Sequence, residues 1–214
     1  MRMSSAPCRS SRQRGASLAT VLFLMLAVLM MSVSSVRAAL MAAKSARAER
    51  DRHVALAAAE AALLDAERDI DGAAGPASPR TALFAAPDAN AFSDRCAGAA
   101  EHAGLCRLAA PPGLPAWQAT DLAGEHSVEY GRFSGRSMPT GAGPLPSRLP
   151  RYLIEVLPAV QPNARPRYRI TAIGFGADAA TVVIVQGYYL RGAPGRRLGW
   201  REIANWPELH RAAS

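Results

Sequence analysis

The residues with chemical potential in this sequence are few. Cys96, His102 and Cys106 stand together in DRCAGAAEHAGLCRL, a grouping that suits either a disulfide or a metal ion held by two thiolates and an imidazole. No fourth ligand stands nearby and the spacing fits no zinc pattern, so a Cys96–Cys106 disulfide is favoured wherever the segment meets an oxidising compartment. Closing a loop of this size removes on the order of 2 to 3 kcal/mol of unfolded-state entropy. The other histidines, His53, His126 and His210, fall in a helix, at a strand start and in the C-terminal tail. Glu60 and Asp65 do not share a helix face, and Asp65 with Asp69 reads as part of a solvated one. GFGAD, from Gly174, is followed by a strand-like run and not by a helix, so it is no phosphate loop. The expectation is a protein that is not an enzyme, with no catalytic residue, metal or cofactor.

Which compartment the cysteines occupy depends on the N-terminal region. Arg2, Arg9, Arg12 and Arg14 precede Gly15 with no acid among them, and Ala16 to Val36 is an uncharged apolar run closed by Arg37. At 1.5 Å per residue the run spans roughly 30 Å, enough to cross a bilayer. The basic flank places its own side in the cytoplasm and the rest of the chain across the membrane. A secretory signal has an apolar core of about 7 to 15 residues before a small-residue cleavage site; Ser35 to Ala39 would serve such a cut, which leaves a cleaved signal as the alternative. Cys8 precedes the run, against a lipoprotein, and Gln13 separates Arg12 from Arg14, against a twin-arginine signal. The same flank accounts for much of the charge. The chain has 25 basic and 17 acidic side chains, a formal +8, and without the four leading arginines it has 21 against 17, or +4. Nucleic-acid binding loses its support.

Between Ala16 and Asp71 there is neither Pro nor Gly, and Ala, Leu, Met, Arg and Glu dominate. Leu56, Leu63 and Ile70 recur with Ala59 and Ala66 between them as a narrow apolar stripe, opposite Glu49, Arg52, Glu60, Glu67 and Arg68. Gly72, Gly75, Pro76 and Pro79 then end the pattern. This predicts one helix of about 55 residues, roughly 80 Å long.

Gln13-Arg14-Gly15 followed directly by Ala16 and an apolar helix resembles a class III, prepilin-type leader, in which a peptidase cuts after the glycine and leaves the helix attached. RQRGASLATVLFLMLAVLMMSVSSVRAALMAAKSARAERDRHVALAAAEAALLDAE resembles the N-terminal region of PilX-type minor pilins of the type IV pilus, most of all in RDRHVALAAAEAALLDAE. The resemblance implies cleavage between Gly15 and Ala16, N-methylation of Ala16, and departure of the helix from the bilayer to join a filament. Major pilins carry Glu at the fifth mature position; here that position is Thr20. There the carboxylate is thought to meet the terminal ammonium of a neighbouring subunit, which offsets the cost of a buried charge. Its absence suits a tip or initiating subunit.

Residues 72 to 120 are rich in Ala, Pro and Gly with little period. Beyond them HSVEYGRF (126–133), RYLIEVL (151–157), RYRITAIGFG (167–176) and TVVIVQGYYL (181–190) read as strands, and RRLGWREIANW (196–206) reads as a last one. In YRITAIG, Ile170 and Ala172 lie opposite Arg169 and Thr171, as in an antiparallel sheet with one face on a helix. This ladder also resembles the C-terminal half of PilX-type minor pilins. The predicted class is α+β, pilin-like, with these parts: a leader (1–15), a transmembrane half-helix (16–36), an amphipathic half-helix (37–71), a variable region with the disulfide loop (72–125) and an antiparallel sheet region (126–214). The resemblance implies a minor pilin that primes assembly near the filament tip, in the inner membrane before assembly. Its partners would be other minor pilins, the major pilin, the prepilin peptidase and a PilY-type tip adhesin, with no nucleic acid. A type II secretion pseudopilin and a single-pass anchored periplasmic binding domain are the alternatives.

Overall fold

The computed structural model describes residues 16–73, 75, 78–85, 87, 89–109, 113–158 and 164–213; the leader and Gly15 lie outside them. The first element is α1 (Ala16–Ile70), a single helix of 55 residues. By contacts the chain divides into Met1–Ala48 and Glu49–Ser214, so α1 contributes to both units.

In the first unit every described residue of α1 but Ala27 is exposed, with Leu18 at 77%, Phe23 at 71% and Met31 at 70%. The helix is long and apolar enough to cross a membrane. Two of its hydroxyls are satisfied within the helix: Ser32 Oγ donates to the Val28 carbonyl and Ser35 Oγ to that of Met31, each at 2.9 Å. Hydroxyls bonded back to the preceding turn are compatible with hydrocarbon.

In the second unit α1 ends as its glycine requires. Gly72 has φ +95°, the Gly72 amide donates to the Asp69 carbonyl and the Ala73 amide to that of Arg68, which is a Schellman closure. There follow α2 (Pro79–Ala85), three short 3-10 turns, β1 (Leu105–Arg107), α3 (Ala116–Ala119), β2 (Val128–Glu129), β3 (Arg151–Leu157), β4 (Arg167–Phe175), β5 (Val182–Leu190), β6 (Arg196–Glu202) and α4 (Trp206–Ala213). The sheet runs β1-β3-β4-β5-β6, with β2 also on β3. Every pairing is antiparallel except β1 with β3, which is parallel. The sheet is therefore mixed, and β1 arises in a segment whose sequence shows no strand period.

Three features of the sheet differ from expectation. HSVEYGRF yields only two strand residues, because Gly131 turns the chain at φ +83° and a Cβ there would lie 1.9 Å from the Arg136 carbonyl oxygen. β6 stops at Glu202 and the chain enters α4, where Pro207 sits in the first turn beside Glu208 while His210 and Arg211 occupy the last. Proline in a first turn and that order of charges both favour a helix. The third difference concerns the sheet's second face, which is not simply polar. Thr171, Ile173 and Phe175 are buried, and Leu153, Ile173, Phe175 and Ile184 pack with Trp117, Leu122, Trp206 and the two cysteines.

The first face carries α1. Ala55, Ala59, Ala62, Leu63, Ala66 and Ile70 are buried against Tyr152, Ile154, Tyr168, Ile170, Ala172, Val183 and Val185, with Leu56 partly buried beside them. Full burial of Leu63 and Ile70 is worth about 1.5 to 3 kcal/mol each. The helix comes so close that a Cβ on Gly174 would stand 2.1 Å from the Ala55 carbonyl oxygen and 2.3 Å from the Ala59 nitrogen, and one on Gly187 would stand 3.0 Å from Leu63. Small residues on both sides of the contact set that distance.

Candidate functional site

Two features of α1 stand out: the exposed apolar stretch of the first unit, and the charged residues that fix the helix on the sheet in the second. The sequence suggests that Asp65, Glu67 and Asp69 are solvated. The structure corrects this: Asp65 and Asp69 are fully buried and Glu67 is 8% exposed. Their partners come from segments far along the chain, which no helical spacing discloses.

Asp69 is the centre of the deepest group. Arg80 of α2, fully buried, donates through Nε and Nη2 to the Asp69 carboxylate at 2.6 to 3.0 Å, and the Tyr152 hydroxyl of β3 donates to it at 3.0 Å. The remaining guanidinium nitrogen donates to the Glu101 and Ala103 carbonyls. Phe133 covers the guanidinium at 3.8 Å, with Phe84 at 5.4 Å. Burial pushes the Asp69 carboxyl above its usual range, and the Arg80 bonds and charge pull it only partly back. Burial, followed by the Asp69 charge, pushes Tyr152 well above its usual value, so its hydroxyl remains a donor. One buried charge pair thus joins α1, α2, β3 and the loop between the cysteines.

The remaining anchors lie along the same helix. Asp65 accepts from the Gly131 amide at 2.8 Å and from Ser134 Oγ. Glu67 meets Arg197 of β6 at 2.5 Å, Arg52 meets Glu202 at 2.6 Å, and Asp71 accepts from the Tyr189 hydroxyl at 2.5 Å. Asp51 accepts from the Ala177 and Asp178 amides in the β4–β5 turn at 2.6 and 3.2 Å. A hydrogen bond from Thr181, joined by those two amides, holds its carboxyl below the usual range against a smaller effect of burial.

Cys96 and Cys106 are joined at 2.03 Å, so neither sulfur is a free thiolate ligand. The bond pins the loop to the sheet where Cys106 in β1 pairs with Glu155 of β3. Glu155, itself buried, meets Arg169 at 2.7 Å. The histidines have separate settings: His53 meets Glu49 at 3.2 Å, His102 Nδ1 meets the Ala91 carbonyl, His126 is exposed, and His210 stacks on Trp206 at 4.6 Å. Glu60 is exposed. Thr20 lies exposed in the apolar stretch, and Ala16 is the first residue of α1.

Two family models match the chain, the PilX N-terminal model over residues 14–64 and that of the type IV pilus assembly protein PilX C-terminal region over residues 93–191. The chain belongs to the PilX family. It is a type IV pilus minor pilin, and its long apolar helix with a second half laid on a sheet is the pilin arrangement. The C-terminal match runs from Ser93, which bridges to Cys106, to Arg191, whose Nε donates to the Ile70 carbonyl at the end of α1. β6 and α4 lie beyond it. No curated protein and no solved structure matches the chain.

Proposed function

We propose that this minor pilin helps to prime type IV pilus assembly and sits at or near the filament tip, as a structural subunit that is not an enzyme. The reading rests on Thr20. If the peptidase cuts between Gly15 and Ala16, Thr20 is the fifth residue of the mature helix, and an uncharged side chain there has no ammonium of a preceding subunit to seek. A subunit with nothing above it has no need of the carboxylate. Ala16 becomes the N-methylated terminus, the apolar stretch holds the subunit in the inner membrane with its second unit in the periplasm, and extraction of the helix delivers it among the helices of other minor pilins and the major pilin. A PilY-type adhesin at the tip is the further partner, which ties this subunit to adhesion and twitching motility.

The experiment is to count surface pili in a strain carrying only Thr20→Glu, with Gly15→Asp as the processing control. Thr20→Glu adds a carboxylate to a membrane helix at about 2.5 to 3.5 kcal/mol, so it should be cleaved normally and yield fewer pili. Gly15→Asp should leave an uncleaved precursor and none of this subunit in pili. Normal pilus number with the Glu variant spread along the shaft removes the tip assignment, and intact precursor in the parent strain removes the leader.

A further inference from the structure

β6 is an edge strand, paired with β5 on one side and, among the described residues, with no strand on the other. Arg196 to Arg201 are exposed and only Glu202 is half-buried. The opposite edge is built from pieces of three and two residues, and such short pieces offer little to an incoming strand. β6 has seven residues, and alternate ones turn their N–H and C=O groups away from β5.

Its side chains divide by face. Arg197, Trp200 and Glu202 lie opposite Tyr189, Gly187 and Val185 on the side of α1. Arg197 and Glu202 are engaged with Glu67 and Arg52, and Trp200 stands between them at 48% exposure. Arg196 and Arg201 lie opposite Leu190 and Gln186 on the other face. Arg201 donates to Gln186 Oε1 at 3.1 Å, and neither arginine has an acidic partner in an ion pair among the described residues. Charge on an edge strand can serve only to keep other strands away. Leu198 at 49% and Trp200 at 48% exposure do the opposite.

We propose that β6 accepts one more strand, an extended acidic segment of a neighbouring pilus subunit. Charge complementarity chooses the occupant. The β5 partners of Arg196 and Arg201 are four residues apart, the irregularity at Tyr188/Tyr189 absorbing one residue of β6. A regular strand on the outer side covers that interval with carboxylates at positions i and i+4 on one face, leaving an apolar residue on the other to meet Trp200. Each Arg–carboxylate contact is charge-assisted, and the main chain supplies the rest of the binding. A second copy of β6 is the wrong occupant, because it would bring two more unpaired arginines to the same face of the joined sheet. β6 also lies beyond the segment matched to the family, so the recognition belongs to this chain's own C-terminal region.

The donor's identity as a pilus subunit rests on the filament role proposed above, but the test needs no filament, so either can fail alone. The full chain in detergent micelles is mixed with the peptide Thr-Glu-Val-Thr-Val-Glu-Thr or with its counterpart carrying Lys for Glu. The Glu peptide should slow hydrogen exchange at alternate amides of β6 about tenfold and reduce acrylamide quenching of Trp200, the one tryptophan of three that is not buried. The Lys peptide should do neither, and Arg196→Glu with Arg201→Glu should exchange the two results. Should that variant fold poorly, Arg196→Gln with Arg201→Gln should lose the Glu-peptide protection. No protection, equal protection by both peptides, protection of β1 and β2 instead, or dimerisation through β6 without peptide each overturns the proposal.

Discussion

The two faces of the sheet solve the same packing problem by opposite means. On the α1 face the closest contact is made by residues with almost no side chain, Ala55 and Ala59 against Gly174, so the backbones nearly touch there, with Leu63 seated over Gly187 beside them. On the other face the space is filled by Trp117, Leu122, Phe175 and Trp206 and closed by a covalent bond. Bulky residues specify their own position, because each fits one hole. Alanines do not. A slip of α1 by four residues would leave the Ala55 and Ala62 sites filled by alanine, and what opposes it among the apolar residues is Leu63, which would fall where Ala59 meets Gly174, and Ile70, which would fall where Ala66 stands. The register of the helix along the sheet is set by these few larger residues together with its charged ones, Asp51, Arg52, Asp65, Glu67, Asp69 and Asp71, each with a partner at one height. The exposed pairs add stability of only about 0 to 1 kcal/mol each, but they make wrong registers costly.

The largest effect that separates the faces should come from Arg80→Met, which strands the Asp69 carboxylate in the interior. The expected loss is about 3 to 5 kcal/mol, read by chemical denaturation, with exchange protection lost first at the end of α1. Adding Asp69→Leu should restore part of it, and only part, because the Tyr152 hydroxyl and the Glu101 and Ala103 carbonyls lose their partners as well. Full restoration would show that the pair does no more than fill space.

Cys96→Ala with Cys106→Ala should cost less, about 2 to 3 kcal/mol. Exchange should rise around β1 and the β3 edge while the α1 contact keeps its protection. Equal loosening of both faces would show that they are not independent. Next comes Gly174→Ala, whose added methyl has backbone on the other side of the contact; overpacking of this kind costs on the order of 1 to 3 kcal/mol. The same change at Gly199, where a Cβ meets nothing within 4 Å, is the control and should be nearly silent.

The helix itself is legible in the sequence, since 55 residues without Gly or Pro, closed by Gly72, admit little else. So are the three central strands β3, β4 and β5, whose β-branched and aromatic runs match the observed spans to within a residue. The buried carboxylates are not legible. An acidic residue on a helix is solvated by default, and the arginine that alters this for Asp69 comes from a separate short helix in an Ala- and Pro-rich stretch. β1 is hidden for a similar reason: three residues carry no period, and what makes them a strand is the disulfide and the edge of β3. Local pattern reveals elements that form by burying a face. It is silent where a distant partner decides.

The smallest expected effect is a pH effect at the far end of the helix contact. The Asp51 carboxyl is held below its usual range in the folded state, so its contribution is present above the ordinary Asp value near 3.9 and is lost as pH falls through the depressed folded value. Asp51→Asn should therefore lower the melting temperature slightly at neutral pH, and the difference from the parent should vanish in acid. A difference that persists in acid would mean that the side chain acts through packing alone.

Arg52 and Glu202 are 150 residues apart, and that separation has a consequence in time. At a synthesis rate of about 5 to 20 residues per second, the stripe of α1 is made roughly 8 to 30 seconds before the strand that completes its contact. Throughout that interval the helix must stay unpaired without capturing another chain. A stripe of leucines would be a hazard during the wait. With alanines between Leu56, Leu63 and Ile70 the stripe offers less apolar surface than a run of leucines, and the contact becomes fully favourable only when the whole sheet arrives, so the residues that permit the closest approach also make the nascent helix less reactive until its partner exists.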